Sequence, residues 1–361
     1  MELAECVDRL SLALVGGVRR RALQHADEGE RGCGEERASE RNHSVAGAIV
    51  TAAQPPLQAI WVIPGISGPL KVTSAARRIL GKHRETSADG VCSRMGRGLR
   101  TVLWLVAGVQ AVLAVGFVFE LRWALEVWPF GDGQLTHIFV GSIFAAAAAS
   151  TIWCLLRDAP RALAGIGLDY LVILTPLAVY SLVRAADGGV HDRARVAGFG
   201  IACLAGAGMG LVIARAALRA PWRDARPTPR PILWSFAVFV VLLLIVSSLL
   251  LARVSVLPWP VTSDQSTAIG LMFLGAAAYF AFGLVQPCWE NAGGQLAGFL
   301  AYDLMLIGPF LKRLPDVPAE FQLELVVYTL VVTYSGLLAA YYLFVARETR
   351  RAFEPPPVVP A

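Results

Sequence analysis

The sequence predicts an all-α polytopic membrane protein: eight transmembrane helices as two parallel four-helix repeats, preceded by a poorly structured N-terminal segment. Three observations carry this. Of 361 residues, 56% are hydrophobic and only 16% charged, with a mean hydropathy of +0.57, too apolar for a water-soluble chain of this length. From residue 100 onward, apolar runs of about 20 residues alternate with short polar breaks, the length that crosses a hydrocarbon core of about 30 Å. The second half then repeats polar and aromatic residues of the first in a nearly constant frame.

Residues 1–99 form a charged, Pro-interrupted extension. The stretch RRRALQHADEGERGCGEERASERNH is followed by an apolar piece cut by Pro55, Pro56, Pro64 and Pro69. No run there reaches the roughly 18 apolar residues of a span. The opening MELAECVDRLSLALVGGVRRR has acids before its apolar centre and arginines after it, the reverse of a secretory signal. Two expectations stand: a cytoplasmic extension, or sequence upstream of a native start at Met95, because MGRGLRTVLWLV places arginines directly before a span.

The spans fall at 101–121, 136–156, 162–183 and 195–218 in a first repeat (100–221), and at 232–252, 266–286, 293–312 and 323–346 in a second (232–353). Helices are expected because lipid-exposed backbone must satisfy its own hydrogen bonds. A Pro-containing cytoplasmic linker, 222–231, joins the repeats, and a Pro-rich tail, 354–361, follows them. With the first span entering from the cytoplasm, thirteen basic residues fall on inner segments against seven outside, which predicts cytoplasmic N- and C-termini. The loop of 184–195, with Arg184, Arg193 and Arg195, runs against that count. Lysine occurs only at 71, 82 and 312, and the Arg, Ala, Gly and Val usage suggests a GC-rich bacterial source and an inner-membrane location.

At an offset of 131, Arg122, Trp128, Pro129, Gln134, Thr136 and Ile138 fall on Arg253, Trp259, Pro260, Gln265, Thr267 and Ile269. With two residues inserted, Leu163, Ala164, Gly165, Leu171 and Pro176 fall on Leu296, Ala297, Gly298, Leu304 and Pro309. At 132, Ala214, Arg215, Arg219 and Ala220 match Ala346, Arg347, Arg351 and Ala352. Four spans per unit, an even number, make the repeats parallel, related by a pseudo-two-fold axis along the membrane normal. The expected roles of the first block are interfacial anchoring by the Trp side chains, helix stops at the Pro residues and capping by Gln and Thr. The sharper alternative is an outer vestibule of Arg122, Arg253, Gln134 and Gln265 that attracts an anion.

The candidate site is a pair of intramembrane acids. Asp169 and Asp303 lie about 12 Å and about 15 Å from span ends near 161 and 293. Each has a neighbouring tyrosine, Tyr170 and Tyr302, in swapped order, and each precedes a proline, Pro176 or Pro309. A carboxylate at that depth is expensive unless paired, protonated or wetted, so it should face the bundle interior or a cavity. A polar side chain beside a broken helix at mid-depth is the composition of a transporter's binding region. The swap rotates one acid by about 100° relative to the other, so the halves cannot present identical faces. The alternative is that the acids hydrogen-bond Tyr or Thr across helices and fasten the repeats. In the fourth span Gly198, Ala202, Gly206 and Gly210 form a small-residue stripe expected to admit a neighbouring helix.

The function classes narrow accordingly. Cys6, Cys33, Cys92, Cys154, Cys203 and Cys288 are singly placed, and the histidines are scattered. Neither a metal-ligand spacing nor a catalytic signature occurs, so no metal, cofactor, catalytic residue or enzymatic activity is expected. The formal charge of +5 comes from arginines beside spans, which fix orientation rather than bind nucleic acid. The expected partners are the lipid bilayer and a small-molecule or proton substrate. Transport of a small solute or a proton-coupled substrate is the leading expectation; a non-catalytic membrane scaffold or assembly subunit is the second.

Overall fold

The computed structural model describes residues 96–131, 133–188 and 192–350. The N-terminal extension up to Met95 and the tail 354–361 lie outside the described residues. Among these residues there are eight helices long and apolar enough to cross a membrane and no strand. They are α1 (Arg97–Val118), α2 (Gln134–Leu156), α3 (Leu163–Ala186), α4 (Arg193–Leu218), α5 (Arg230–Leu251), α6 (Ser263–Val285), α7 (Trp289–Arg313) and α8 (Ala319–Ala340). A π-helical turn, Tyr341–Val345, continues α8. Most helices start two to four residues before the apolar runs because polar residues occupy the first turns. Thr262 and Gln265, for example, form a reciprocal capping box at the head of α6.

The helices pair as α1 with α2, α3 with α4, α5 with α6, and α7 with α8; α2 further packs on α7, and α3 on α6. Exchanging each helix for the one four places on maps this list onto itself. Neither half closes on its own, because α2 and α3 make only marginal contact, as do α6 and α7. The central helices are α2 and α6, each 61% buried across its apolar window against 28–39% for the rest. The outer ones turn apolar side chains such as Leu105, Ile201, Trp234 and Leu330 outward.

Glycines mark equivalent crossings. A methyl group on Gly141 would lie 3.1 Å from Phe117 Cβ, and one on Gly270 3.2 Å from Leu250 Cβ. Gly165 faces Tyr279 as Gly298 faces Ser150, and Gly210 faces Tyr170 as Gly336 faces Asp303. These pairs place α1 on α5 and α3 on α7 at an offset of 133, but α2 on α6 at 129. The cause is length: the α1–α2 connection spans 119–133, fifteen residues, whereas 252–262 between α5 and α6 has eleven.

The Trp-Pro block sits inside these unequal connections, so its 131 frame does not carry into structural equivalence. Arg122 opens a short helix, Arg122–Leu125, while Arg253 adopts φ +63° after α5. The residue equivalent to Arg253 is Glu120, at φ +51° after α1. In both, the next amide reaches back five residues: Leu121 N to Gly116 O at 2.8 Å and Val254 N to Leu249 O at 2.9 Å. This left-handed cap favours glycine. Arg253→Gly is therefore expected to stabilise the protein by about 0.5–1 kcal/mol, read by thermal denaturation; a loss would place Arg253 in contacts beyond its backbone role.

The tryptophans correct a second expectation. Trp128 and Trp259 are each only 3% exposed, so neither anchors at the lipid surface. Trp128 packs edge-on against Phe130 and Phe199, and Trp259 Nε1 donates to Thr136 Oγ1 at 3.1 Å across the halves. Residues of its own half cover Trp128, whereas Phe139 and Thr136 of the opposite half cover Trp259. The small-residue stripe holds in part: Gly206 and Gly210 admit α3, facing Leu174 and Tyr170. Gly198 and Ala202 are exposed, and the line that packs inward is Val196, Gly200, Cys203, Ala207 and Gly210. A strict four-residue repeat drifts around a helix of 3.6 residues per turn, so only the mixed three-and-four spacing stays on one partner. The matching Ala-Arg motifs also differ in setting. Arg215 lies in the last turn of α4, whereas Ala346 and Arg347 follow the π turn.

Two of the three arginines of the discordant loop, Arg184 and Arg195, are held by the protein. Arg184 pairs with Asp264 Oδ2 at 3.1 Å, beside the Tyr180 hydroxyl on Oδ1 at 2.5 Å. Arg195 donates to the carbonyls of Leu125, Glu126 and Trp128 at 2.7 Å each. At the opposite end, the segment between α4 and α5 docks on the head of α7. Glu290 Oε2 accepts from Arg223 N at 2.6 Å and Asp224 N at 3.0 Å, and Trp289 N donates to Arg226 O at 2.7 Å.

Burial pushes the Asp224 carboxyl up, but the Arg226 guanidinium bonded to it more than offsets this and holds it below the usual carboxylate range. A depressed folded value means that the clamp contributes fully above the unfolded carboxylate value of about 3.9 and is lost as pH falls through the lower folded value. The amides of the 221–229 segment should thus lose protection from hydrogen exchange, corrected for intrinsic rate, as pH falls below about 4. Unchanged protection would mean that the Glu290 bonds alone hold the segment.

Candidate functional site

Side chains of α2, α3, α5, α6, α7 and α8 surround a cavity of about 130 Å³ in the bundle interior. Asp169 and Asp303 both line it, as does Tyr302. Measured from the helix starts, Asp169 lies about 9 Å along α3 and Asp303 about 21 Å along α7, because α7 begins seven residues before the counterpart of the α3 start.

Asp303 is 3% exposed; the Ser335 hydroxyl of α8 stands beside its carboxyl but donates to Val331 O and Val332 O, which leaves both carboxylate oxygens without a well-formed hydrogen bond. It is packed over Gly336, where a methyl group would lie 3.3 Å from Asp303 Cβ. Asp169 is partly exposed, and its Oδ1 stands over Gly275, 2.9 Å from where a methyl group would sit. Neither acid has an ion pair, and no Lys, Arg or His lines the cavity. The tyrosines expected as their partners are engaged elsewhere. Tyr170 accepts from Gln110 Nε2 at 2.5 Å and does not line the cavity, while the Tyr302 and Tyr328 hydroxyls hydrogen-bond each other.

Pro176 and Pro309 lie within α3 and α7, which run through them as single helices. The broken-helix element of the sequence expectation is therefore missing, because packing on α4, α6 and α8 holds each helix on both sides of its proline. Of the remaining candidates, Arg122, Arg253 and Gln134 are exposed, and Gln265 is enclosed in its capping box. None of these four lines the cavity.

The swap has a structural counterpart. In the 133 register Tyr302 stands where Asp169 does, Asp303 where Tyr170 does, and Leu243 where Gln110 does. In the first half, Gln110 Nε2 donates to the Tyr170 hydroxyl, while Gln110 Oε1 is left without a partner. In the second, the equivalent pair is Leu243 and Asp303, both facing the cavity, with no hydrogen bond between them. The site is closed by a polar pair in one half and left open in the other.

Residues beyond the sequence candidates complete it. Gln295, fully buried, donates Nε2 to Tyr279 O at 2.5 Å and leaves Oε1 without a donor. Ser150 and Ser335 add hydroxyls, and Phe239, Phe280 and Phe299 form an aromatic wall with centroids 4.2–4.8 Å apart along the stack. Gln110 and Gln295 were detectable by the criterion that picked out the acids, a strongly polar group in an apolar run. Tyr328 and the phenylalanines carry no such signal.

No known family model, curated protein or solved structure matches this chain. What the fold defines is a class: an integral, multi-pass helical membrane protein in contact with the lipid bilayer.

Proposed function

We propose that the protein is a bacterial inner-membrane carrier that moves a small solute, or a proton in exchange for one, through the cavity at Asp169 and Asp303. In this reading both termini are cytoplasmic and the halves are related by a two-fold axis along the membrane normal. No bond-making chemistry and no cofactor take part. The observation that carries it is the unpartnered Asp303 carboxylate, enclosed at membrane depth on the wall of a cavity. An acid retained there without a partner contributes nothing to packing and is expensive, which fits a group kept for a ligand. The scaffold reading requires the acids as fasteners, and the Ser335 hydroxyl beside Asp303 is spent on carbonyls of its own helix rather than on the acid.

Reconstituted proteoliposomes containing a pH-sensitive dye, challenged with amines, carboxylic acids, sugars and amino acids, test it. Solute-dependent proton or solute movement by the wild type, absent in Asp303→Asn, is expected. Movement of no solute, or equal movement by the variant, would end the carrier reading.

A further inference from the structure

We infer that the solute of this cavity is a small organic monocation bearing N–H groups, of about six non-hydrogen atoms. This rests on the reading of the cavity as the solute site, and it follows from which atoms there lack partners. Asp303 Oδ1, Asp303 Oδ2 and Gln295 Oε1 are buried with no donor, and the Asp169 carboxylate also has none. All are acceptors. The backbone N–H groups around them are taken up in their own helices, and the Gln295 side-chain amide donates to Tyr279 O.

A ligand that satisfies this set must bring hydrogen-bond donors and positive charge. An anion would face two carboxylates without a cationic residue on the wall. A quaternary ammonium would leave the oxygens without donors. A bare metal ion would find no cluster of three or more His, Cys, Asp or Glu among the described residues. The aromatic wall of Phe239, Phe280 and Phe299 suits the methylene groups of such a cation and attracts its charge. The size follows from the volume: about 130 Å³ is close to the roughly 150 Å³ that accommodates a benzene-sized molecule.

The comparison of halves supplies a second line. Where the first half places Gln110 to hydrogen-bond Tyr170, the second places Leu243 opposite Asp303, so no amide donor stands at the acid, and the Ser335 hydroxyl beside it donates to carbonyls of its own helix. The donor is left to the ligand.

The test uses n-butylammonium, n-butanol, butyrate, tetramethylammonium and sodium as probes of the purified full-length protein, read by thermal stability and by calorimetry at constant ionic strength. n-Butylammonium should stabilise and bind, whereas the other four should not. Asp303→Asn should weaken n-butylammonium binding by about 10- to 100-fold, the loss of a charge-assisted hydrogen bond. Leu243→Gln, which restores the polar pair of the first half, should weaken it while keeping the charge, so the test survives a variant that fails to fold. Equal binding of n-butanol or butyrate, undiminished binding by both variants, or no binding of n-butylammonium to the wild type would overturn the inference. An Asp303-dependent transport of some other solute would then leave the carrier reading standing. Binding of n-butylammonium without its uptake into proteoliposomes would do the reverse, keeping the cation site and removing the carrier.

Discussion

Asp303→Leu will raise the thermal stability of the purified protein, while Tyr170→Phe, at the equivalent position of the other half, will lower it. An acid at the centre of a membrane helix costs about 2.5–3.5 kcal/mol on insertion scales, and Asp303 recovers little of this, because the Ser335 hydroxyl beside it donates to its own helix. Leucine removes the polar group and fills part of the cavity beside Leu243, so a gain of about 2 kcal/mol is expected. Tyr170 is in the opposite situation. Removing its hydroxyl leaves the buried Gln110 amide without its partner, at a cost of about 1–3 kcal/mol. Thermal unfolding in one detergent measures both, and solute uptake measures the functional price of Asp303→Leu. If Asp303→Leu instead destabilises as much as Tyr170→Phe, the acid is a fastener and the cavity loses its claim to be a site.

The second large effect is at the α3–α4 crossing. A methyl group on Gly167 would lie 2.6 Å from Gly210 O and 2.7 Å from Ala214 N, both backbone atoms that cannot rotate away. Gly167→Ala must push the helices apart along a crossing where α3 and α4 touch closely, and a loss of about 1–3 kcal/mol is expected. Gly198, in the same helix pair, has nothing within 4 Å of the added methyl group. Gly198→Ala should therefore be neutral or stabilise by up to about 1 kcal/mol, because alanine is the better helix former. The contrast separates a packing effect from a propensity effect. Equal consequences at the two positions would show that backbone proximity is not what holds α3 to α4.

The candidate acids stood out in the sequence for the same reason that makes them interesting. An Asp in an apolar run is conspicuous, and its price in lipid is set by depth, which counting along a helix estimates. Whether a partner waits for it is not a local property. Gln110 is sixty residues from Tyr170, and Ser150 and Gln295 reach the cavity from helices of different halves. Tryptophan shows the same limit from the other side. The ring that anchors at an interface is equally able to fill a core, and Trp128 and Trp259 do the second because Phe130 and Phe199 cover one and the opposite half covers the other.

The chain alone determined that eight helices cross a membrane and that the second four echo the first, because hydrophobic length and residue matches are local and additive along the sequence. Only the tertiary structure decided the register of that echo, since connections of fifteen and eleven residues shift α2 against α6 by four positions relative to their neighbours. It also decided that α2 pairs with α7 and α3 with α6, and that one acid is left without a partner on a cavity wall. Those outcomes depend on side chains meeting across helices far apart in the chain, where packing rather than composition selects the contact.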